Sequence, residues 1–215
     1  MKSTEFITED INELSNALKQ ANLGDKYFTQ VLGTVEQIKL HCQPFLNEIE
    51  DPFSLLRGLR PTHEWAVNKP VRLDGRKPMS TPLWLHNELN DVFKQEFGAP
   101  FRDSIFCTGD ASQAKVYGMV FCVFPIGTYE YLWSPEVRDL YQRFDFFRGK
   151  GHNQKDFVNQ LDLKLYKTNG LNDAIARGHE IMVRTKNYYG LNMNNIWTDK
   201  NSGPIQNAIQ DYLIE

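Results

Sequence analysis

The stretch "FCTGDASQAKVYGMVFCVFPIG" runs from Phe106 to Gly127. It opens as a short apolar strand, breaks at Thr108-Gly109-Asp110, turns into a small helix and re-enters a longer apolar strand. A polar corner between two core strands has two readings. It is an ordinary turn with an aspartate helix cap, or it is a place where a ligand enters the fold. Tyr117 divides in the same way, into a core aromatic or a pocket wall.

Working outward, the chain has 215 residues, which predicts one domain with an N-terminal appendage. Hydrophobic residues make up 41% and aromatic residues 13%, enough for a sizeable core. The formal net charge is −3, so the overall balance does not point to broad nucleic-acid or membrane binding. The three cysteines, Cys42, Cys107 and Cys122, have unrelated spacings and read as reduced, with Cys107 and Cys122 as buried small hydrophobes. The start "MKSTEFITED" lacks the apolar core of a signal peptide, and no apolar run approaches ~18 residues. The expected location is the cytoplasm.

Residues 1–50 read as a helical segment. Thr8 is placed as the cap of a helix with Ile11, Leu14, Leu18 and Ala21 on one face, broken at Gly24. A second helix carries Phe28, Val31, Leu32, Val35 and Ile38. Residues 51–215 read as the main domain. "FSLLRGLR" (Phe53–Arg60) is a short strand with Arg57 near its end, and residues 61–82 are a proline-rich loop with Arg72, Arg76 and Lys77. A helix follows from Pro82 to its stop at Gly98, with His86 in local hydrogen bonds. "TYEYLWS" is a half-buried strand, "PEVRDLYQRF" a helix begun by Pro135, and "FFRGKGHNQKDF" a basic glycine loop. "LNDAIARG" is a helix ended by Gly178, "HEIMVRTKNYYGL" one strand, and "PIQNAIQDYLIE" a last helix. The order predicts an α+β domain.

His63-Glu64 is not followed by the second histidine of a zinc protease, and no metal-ligand spacing is present. There is no nucleophile elbow, Walker A or dinucleotide fingerprint. "RGKGH" (Arg148–His152) is a weak candidate for a phosphate contact, against a solvated loop. "RKPMST", ahead of a helix start, offers Arg76, Ser80 and Thr81 to an anion at the helix N-terminus. What remains is an order along the chain: a strand arginine, Arg57; a strand-to-helix corner with Thr108, Gly109 and Tyr117; and a late strand opened by Glu180.

That order resembles the ADP-ribosyltransferase superfamily. "LLRG" looks like its first-strand motif, and "SIFCTGDASQAKVYG" looks like its strand-turn-helix step. "RKPMSTP", "FPIGTYEYLWSP" and "HEIMVRTKNYYG" also look like a group of tailed-phage proteins. The likeness covers about residues 53–190. Cys107-Thr108-Gly109 stands where the superfamily has Ser-Thr-Ser. Gly178-His179-Glu180 stands where it has Glu-x-Glu or Gln-x-Glu, so no side chain at 178 selects an acceptor.

The resemblance implies a split mixed β-core of ADP-ribosyltransferase type behind an N-terminal helical hairpin. It implies NAD as substrate and a host macromolecule as acceptor, with nucleic acid among the possible classes and no membrane partner. Catalytic roles fall to Glu180, Arg57 and Thr108. NAD contacts fall to Arg57, Arg76, Ser80, Thr81, Gly109 and Tyr117, with Gly118 also admitting backbone close to the ligand. The other reading is a phage structural or nucleotide-binding protein on the same fold, without the chemistry. Arg57 then pairs with Glu50 or Asp51, and Glu180 is an exposed acid at a strand start.

Overall fold

A computed structural model describes residues 3–20, 24–78, 81–193 and 202–214, with side chains placed except at 3–10 and 202. The described chain is α+β, with eight α-helices and two small antiparallel sheets. The first sheet has the order β1 (Leu56–Leu59), β4 (Met119–Pro125), β7 (Asn187–Asn192), β2 (Ala66–Pro70). The second has the order β3 (Ile105–Cys107), β6 (Ile181–Arg184), β5 (Glu130–Trp133).

Every strand pairing in the two sheets is antiparallel, where a mixed core was expected. Helices α4 (Leu83–Phe97) and α5 (Ala111–Val116) each carry the chain from one sheet to the other. Neither returns the chain to the sheet it left, so neither makes the crossover that parallel neighbours need. The predicted strand "HEIMVRTKNYYGL" is two strands in different sheets. It breaks at Thr185, whose buried hydroxyl reaches the carbonyls of Asn187 and Ile126 at 3.0 and 3.3 Å. Residues 66–70, read as loop, form the edge strand β2 on β7. Pro70 sits at its end, where an edge tolerates proline, and Asn68 and Lys69 stay exposed, so no alternating pattern announces it.

The second sheet is buried on both faces, and the pleat explains how. Ile105, Cys107, Tyr131, Trp133, Ile181 and Val183 face the main core. Leu132 and Met182, between them in sequence, face a second core beneath α4 and α6 (Leu140–Gly149). The main core also takes Val31, Val35 and Ile38 of α2 (Asp25–His41), Leu14 and Leu18 of α1 (Ser3–Gln20), and Ile209 of the C-terminal helix α8 (Ser202–Ile214). The short helix α3 (Gln43–Leu46) adds Phe45, set edge-on to Phe124 at 6.0 Å. α1 begins at Ser3, so Thr8 lies within the helix, and Ala21 lies outside the described residues. Cys42, Cys107 and Cys122 are buried free thiols, and burial pushes Cys42 and Cys107 up to about 12. No described helix is long and apolar enough to cross a membrane.

Two helix starts differ from the sequence reading. Pro82 is the cap residue and α4 starts at Leu83. α6 starts after Asp139, whose carboxylate accepts from the Gln142 backbone N–H at 2.9 Å. A carboxylate cap outcompetes Pro135 as a start signal because it satisfies a donor that proline only lacks.

The polar corner after β3 is fixed by close backbone contacts. A Cβ on Gly109 would stand 1.9 Å from the Ile175 carbonyl oxygen in α7 (Leu171–Ala176). A Cβ on Gly118, at φ +135°, would stand 2.0 Å from the Leu59 carbonyl oxygen. From sequence, both glycines are expected to admit a ligand close to the backbone. The structure instead spends them on protein backbone, seating α5 against β1 and the corner against α7. Gly109→Ala therefore forces backbone apart and should lower stability by ~1–3 kcal/mol in urea unfolding. Gly33→Ala, inside α2 with nothing within 4 Å of the added carbon, should raise it by ~0.5–1 kcal/mol. Equal stability of wild type and Gly109→Ala would contradict the packing argument.

Candidate functional site

The two sheets are joined at one rung. Leu56 and Thr108 exchange both backbone hydrogen bonds, at 2.8 and 2.9 Å. In an antiparallel ladder the next such pair would be Gly58 and Phe106. It does not form. The Phe106 carbonyl accepts instead from Arg57 Nη1 at 3.1 Å, and the strands part around that side chain.

The parting opens a cleft of about 300 Å³. Its walls carry Arg57, Arg60, Arg76 and Arg102 against the carboxylates of Asp139 and Glu180. Thr81, Thr108 and Tyr117 line it as well. Of the residues singled out in the sequence, Arg57, Arg76, Thr81, Thr108, Tyr117 and Glu180 thus meet at one place. Gly109 is not among the lining residues, and Ser80 lies outside the described residues. Arg72 and Lys77 do not line the cleft either, and His152 lines a separate groove of about 560 Å³ beside α6. In the glycine segment, Arg148 pairs with Asp145, and His152 stacks on Phe147 at 4.7 Å.

Arg57 makes no ion pair with Glu50 or Asp51; among the described residues no carboxylate pairs with it, and its buried Nε has no hydrogen-bond partner. Arg76 is held by the Ser104 carbonyl and lies over the Phe106 ring, 4.3 Å from its centre. Burial and the neighbouring Arg57 and Arg102 push the Arg76 guanidinium down to about 10, so it remains charged at neutral pH.

Glu180 opens β6. Its backbone N–H donates to the Arg138 carbonyl at 2.8 Å, and its Oε1 accepts from Arg102 Nη1 at 2.9 Å. Burial raises its carboxyl above the ordinary value, against the pull of Arg102 and with a further push from Asp139. Thr108 is buried and its hydroxyl is already engaged. It accepts from the Asp110 N–H at 3.1 Å and can donate to the Gly178 carbonyl at 3.0 Å or Gln113 Oε1 at 3.2 Å. Its reach is therefore to the segment that carries Glu180. Asp110 caps α5, so the turn reading of the corner also holds. Tyr117 is 54% exposed, at the rim.

Arg60, Arg102 and Asp139 are charged cleft residues that sequence reading passed over. Arg102 sits in "FRDS", a single turn with no period to detect. The available signal was a pair of opposite charges between Phe101 and Ile105, an arrangement that folds only if both charges find partners. They do: Asp103 accepts from His86 Nε2 at 2.9 Å, and Arg102 Nη1 donates to Glu180 Oε1 at 2.9 Å. His86 is thus a local hydrogen-bonding residue, with burial as the main cause holding it below the ordinary imidazole value.

No family model, curated protein or solved structure matches this chain.

The depressed His86 has a measurable consequence. The unfolded chain takes up a proton near pH ~6.5 and the folded chain only at lower pH. Its contribution to stability is complete above that value and falls as pH drops towards the folded pKa. The loss of unfolding free energy between pH 7.5 and 5.5 should be smaller in His86→Gln than in wild type. Parallel pH profiles would contradict the assignment.

Proposed function

We propose that the cleft binds NAD and transfers its ADP-ribose to a macromolecular acceptor, on a split core of ADP-ribosyltransferase type. The observation that carries this reading is the convergence of Arg57, Thr108 and Glu180 on one cleft, from three segments whose order resembles that superfamily. Charge supports it: Arg57 and Arg76 line the cleft, and among the described residues neither forms an ion pair with a carboxylate. Such groups suit a diphosphate. A cleft of about 300 Å³ is at the lower end for small-molecule sites, so it takes the reacting half of the dinucleotide. Tyr117 at the rim offers a face for the nicotinamide ring. The acceptor we favour is a macromolecule of a phage host.

The reaction breaks the bond between the nicotinamide nitrogen and the ribose. The electron pair leaves with nicotinamide, and positive charge develops on the sugar, as in glycoside cleavage. The Glu180 carboxylate gains interaction only as that charge appears, which is what lowers a barrier. The acceptor then bonds to the sugar carbon through a lone pair, and its proton passes to Glu180. Thr108 holds the Gly178–Glu180 segment in place through the Gly178 carbonyl.

A second reading, nucleotide binding without turnover, draws on the 2.9 Å Arg102–Glu180 pair, which already neutralises the carboxylate.

Incubation with nicotinamide-labelled NAD and host lysate separates them. The transferase should release free nicotinamide and label an acceptor with ADP-ribose. Glu180→Gln should bind NAD at least as tightly as wild type and lose on the order of 10²–10³ in rate. Because the ionised form is needed and burial raises its pKa, the wild-type rate should climb with pH through a midpoint above the ordinary glutamate value of 4.5. Bound NAD without nicotinamide release selects the second reading; no binding of NAD overturns both.

Arg76→Ala should weaken NAD binding by ~1.5–3 kcal/mol in calorimetry, the range for a hydrogen bond to a charged group. Unchanged affinity would place the diphosphate away from Arg76.

A further inference from the structure

Arg102 is 4% exposed, yet its partners do not account for its donors. A guanidinium has five N–H groups. Nη1 serves Glu180 at 2.9 Å and brushes the Met182 sulfur at 3.9 Å. Nη2 reaches Thr81 Oγ1 only at 3.4 Å, and the buried Nε has no partner among the described residues. Such donors are rarely left unpaired in a core without cause.

The backbone beneath this side chain is firmly held. The Arg102 N–H is tied to Asn90, and the next residue, Asp103, is tied to His86 and to the Arg76 N–H at 3.2 Å. The guanidinium lies over Phe106, 4.4 Å from the ring centre, and Arg76 lies over the same ring at 4.3 Å. Arg57 reaches the carbonyl of that same residue. Three cations therefore gather around Phe106, two of them with an unpaired buried Nε, and one carboxylate is paired to one of them. The arrangement is short of acceptor oxygens, and a phosphate supplies them.

We propose that Arg102 is a positioning residue shared between two anions, the Glu180 carboxylate and a phosphate of the bound nucleotide. This rests on reading the cleft as a dinucleotide site. Phosphate oxygens take the donors that Arg102 leaves unused and draw its charge away from Glu180. The carboxylate then faces the sugar with more of its own charge. Linkage makes the effect reciprocal: Glu180 weakens phosphate binding by the factor by which phosphate weakens the ion pair.

The test is a double-mutant cycle read by titration calorimetry with inorganic pyrophosphate. Wild type, Glu180→Gln, Arg102→Gln and the double variant are compared. Glu180→Gln should bind pyrophosphate roughly fivefold or more tightly than wild type, the lower range of such couplings. Arg102→Gln should bind it roughly tenfold or more weakly, as expected for one lost hydrogen bond to a charged group. In the Arg102→Gln background the gain from Glu180→Gln should vanish. An equal gain in both backgrounds overturns the proposal, because Glu180 would then act through its field alone. Failure of the wild type to bind pyrophosphate overturns it too.

Arg102→Gln leaves a buried carboxylate without its cation and can lose the fold, which thermal unfolding shows. Arg102→Lys then carries the same cycle: it keeps the cation but loses the planar guanidinium fork, so the gain from Glu180→Gln should be smaller than in wild type. The two readings fail separately. Coupling through Arg102 without nicotinamide release removes the transfer reaction and keeps the shared cation. Nicotinamide release with additive pyrophosphate effects removes the shared cation alone.

Discussion

The fold depends on a ladder that stops after one rung. Leu56 and Thr108 pair fully, and the next carbonyl, that of Phe106, is taken by the Arg57 side chain. Had the ladder continued, β1 and β3 would have fused the two sheets into one surface, with no gap between them. A side-chain donor in place of a backbone donor satisfies the Phe106 carbonyl and still keeps the strands apart. It also sets a cation at the bottom of the gap. The same substitution of donors thus makes the cleft and gives it charge.

The corner next to that rung transmits the geometry further. Thr108 belongs to the rung through its backbone and to the Gly178 carbonyl through its hydroxyl. Gly178 lies two residues before Glu180. Gly109 lets the corner lie on α7, and Gly118 lets the chain leave α5 against β1. The carboxylate at the head of β6 is therefore located by contacts from β3, from α7 and from Arg102. None of these groups is on a flexible tether, which is what a site that must place charge within a fraction of an ångström requires.

Much of this was legible in the sequence where one residue type has one strong use. Helical stripes gave α2 and α4, the Gly98 stop held, and the apolar runs gave β1, β3 and β4. Arg57, Thr108 and Glu180 could be picked out because each stands at the end of an apolar run. What could not be read were features that exist only in three dimensions. β2 is a strand because β7 offers it an edge, while its own residues read as loop. The break at Thr185 is invisible because apolar residues continue on both sides while the chain changes sheets. Arg102 has no periodic pattern, and its importance comes from Glu180, 78 residues away. Gly109 and Gly118 were recognised as sites of close approach, but the sequence could not say that the approaching atoms belong to the protein itself.

The choice of arginine at the split follows from the same crowding that makes the cleft attractive to anions. Burial and two like charges push Arg76 from 12.5 down to about 10, and it still carries its proton at neutral pH. A lysine starts near ~10.4. Pushed down as far, it would titrate close to neutrality and lose charge where the cleft needs it. Its ammonium would also present its donors from a single point on a flexible stem, whereas the planar guanidinium spreads its donors in a fixed fork that can serve the Ser104 carbonyl and a ligand oxygen together. A cluster of cations around one aromatic ring is costly to assemble, and only a group that stays charged under that cost makes the assembly useful. The planar guanidinium lowers the cost by lying over Phe106, where the ring's negative face offsets part of the repulsion. Phe106 is in this sense as much a part of the cleft as the arginines: its carbonyl ends the ladder, and its ring lets the charges gather.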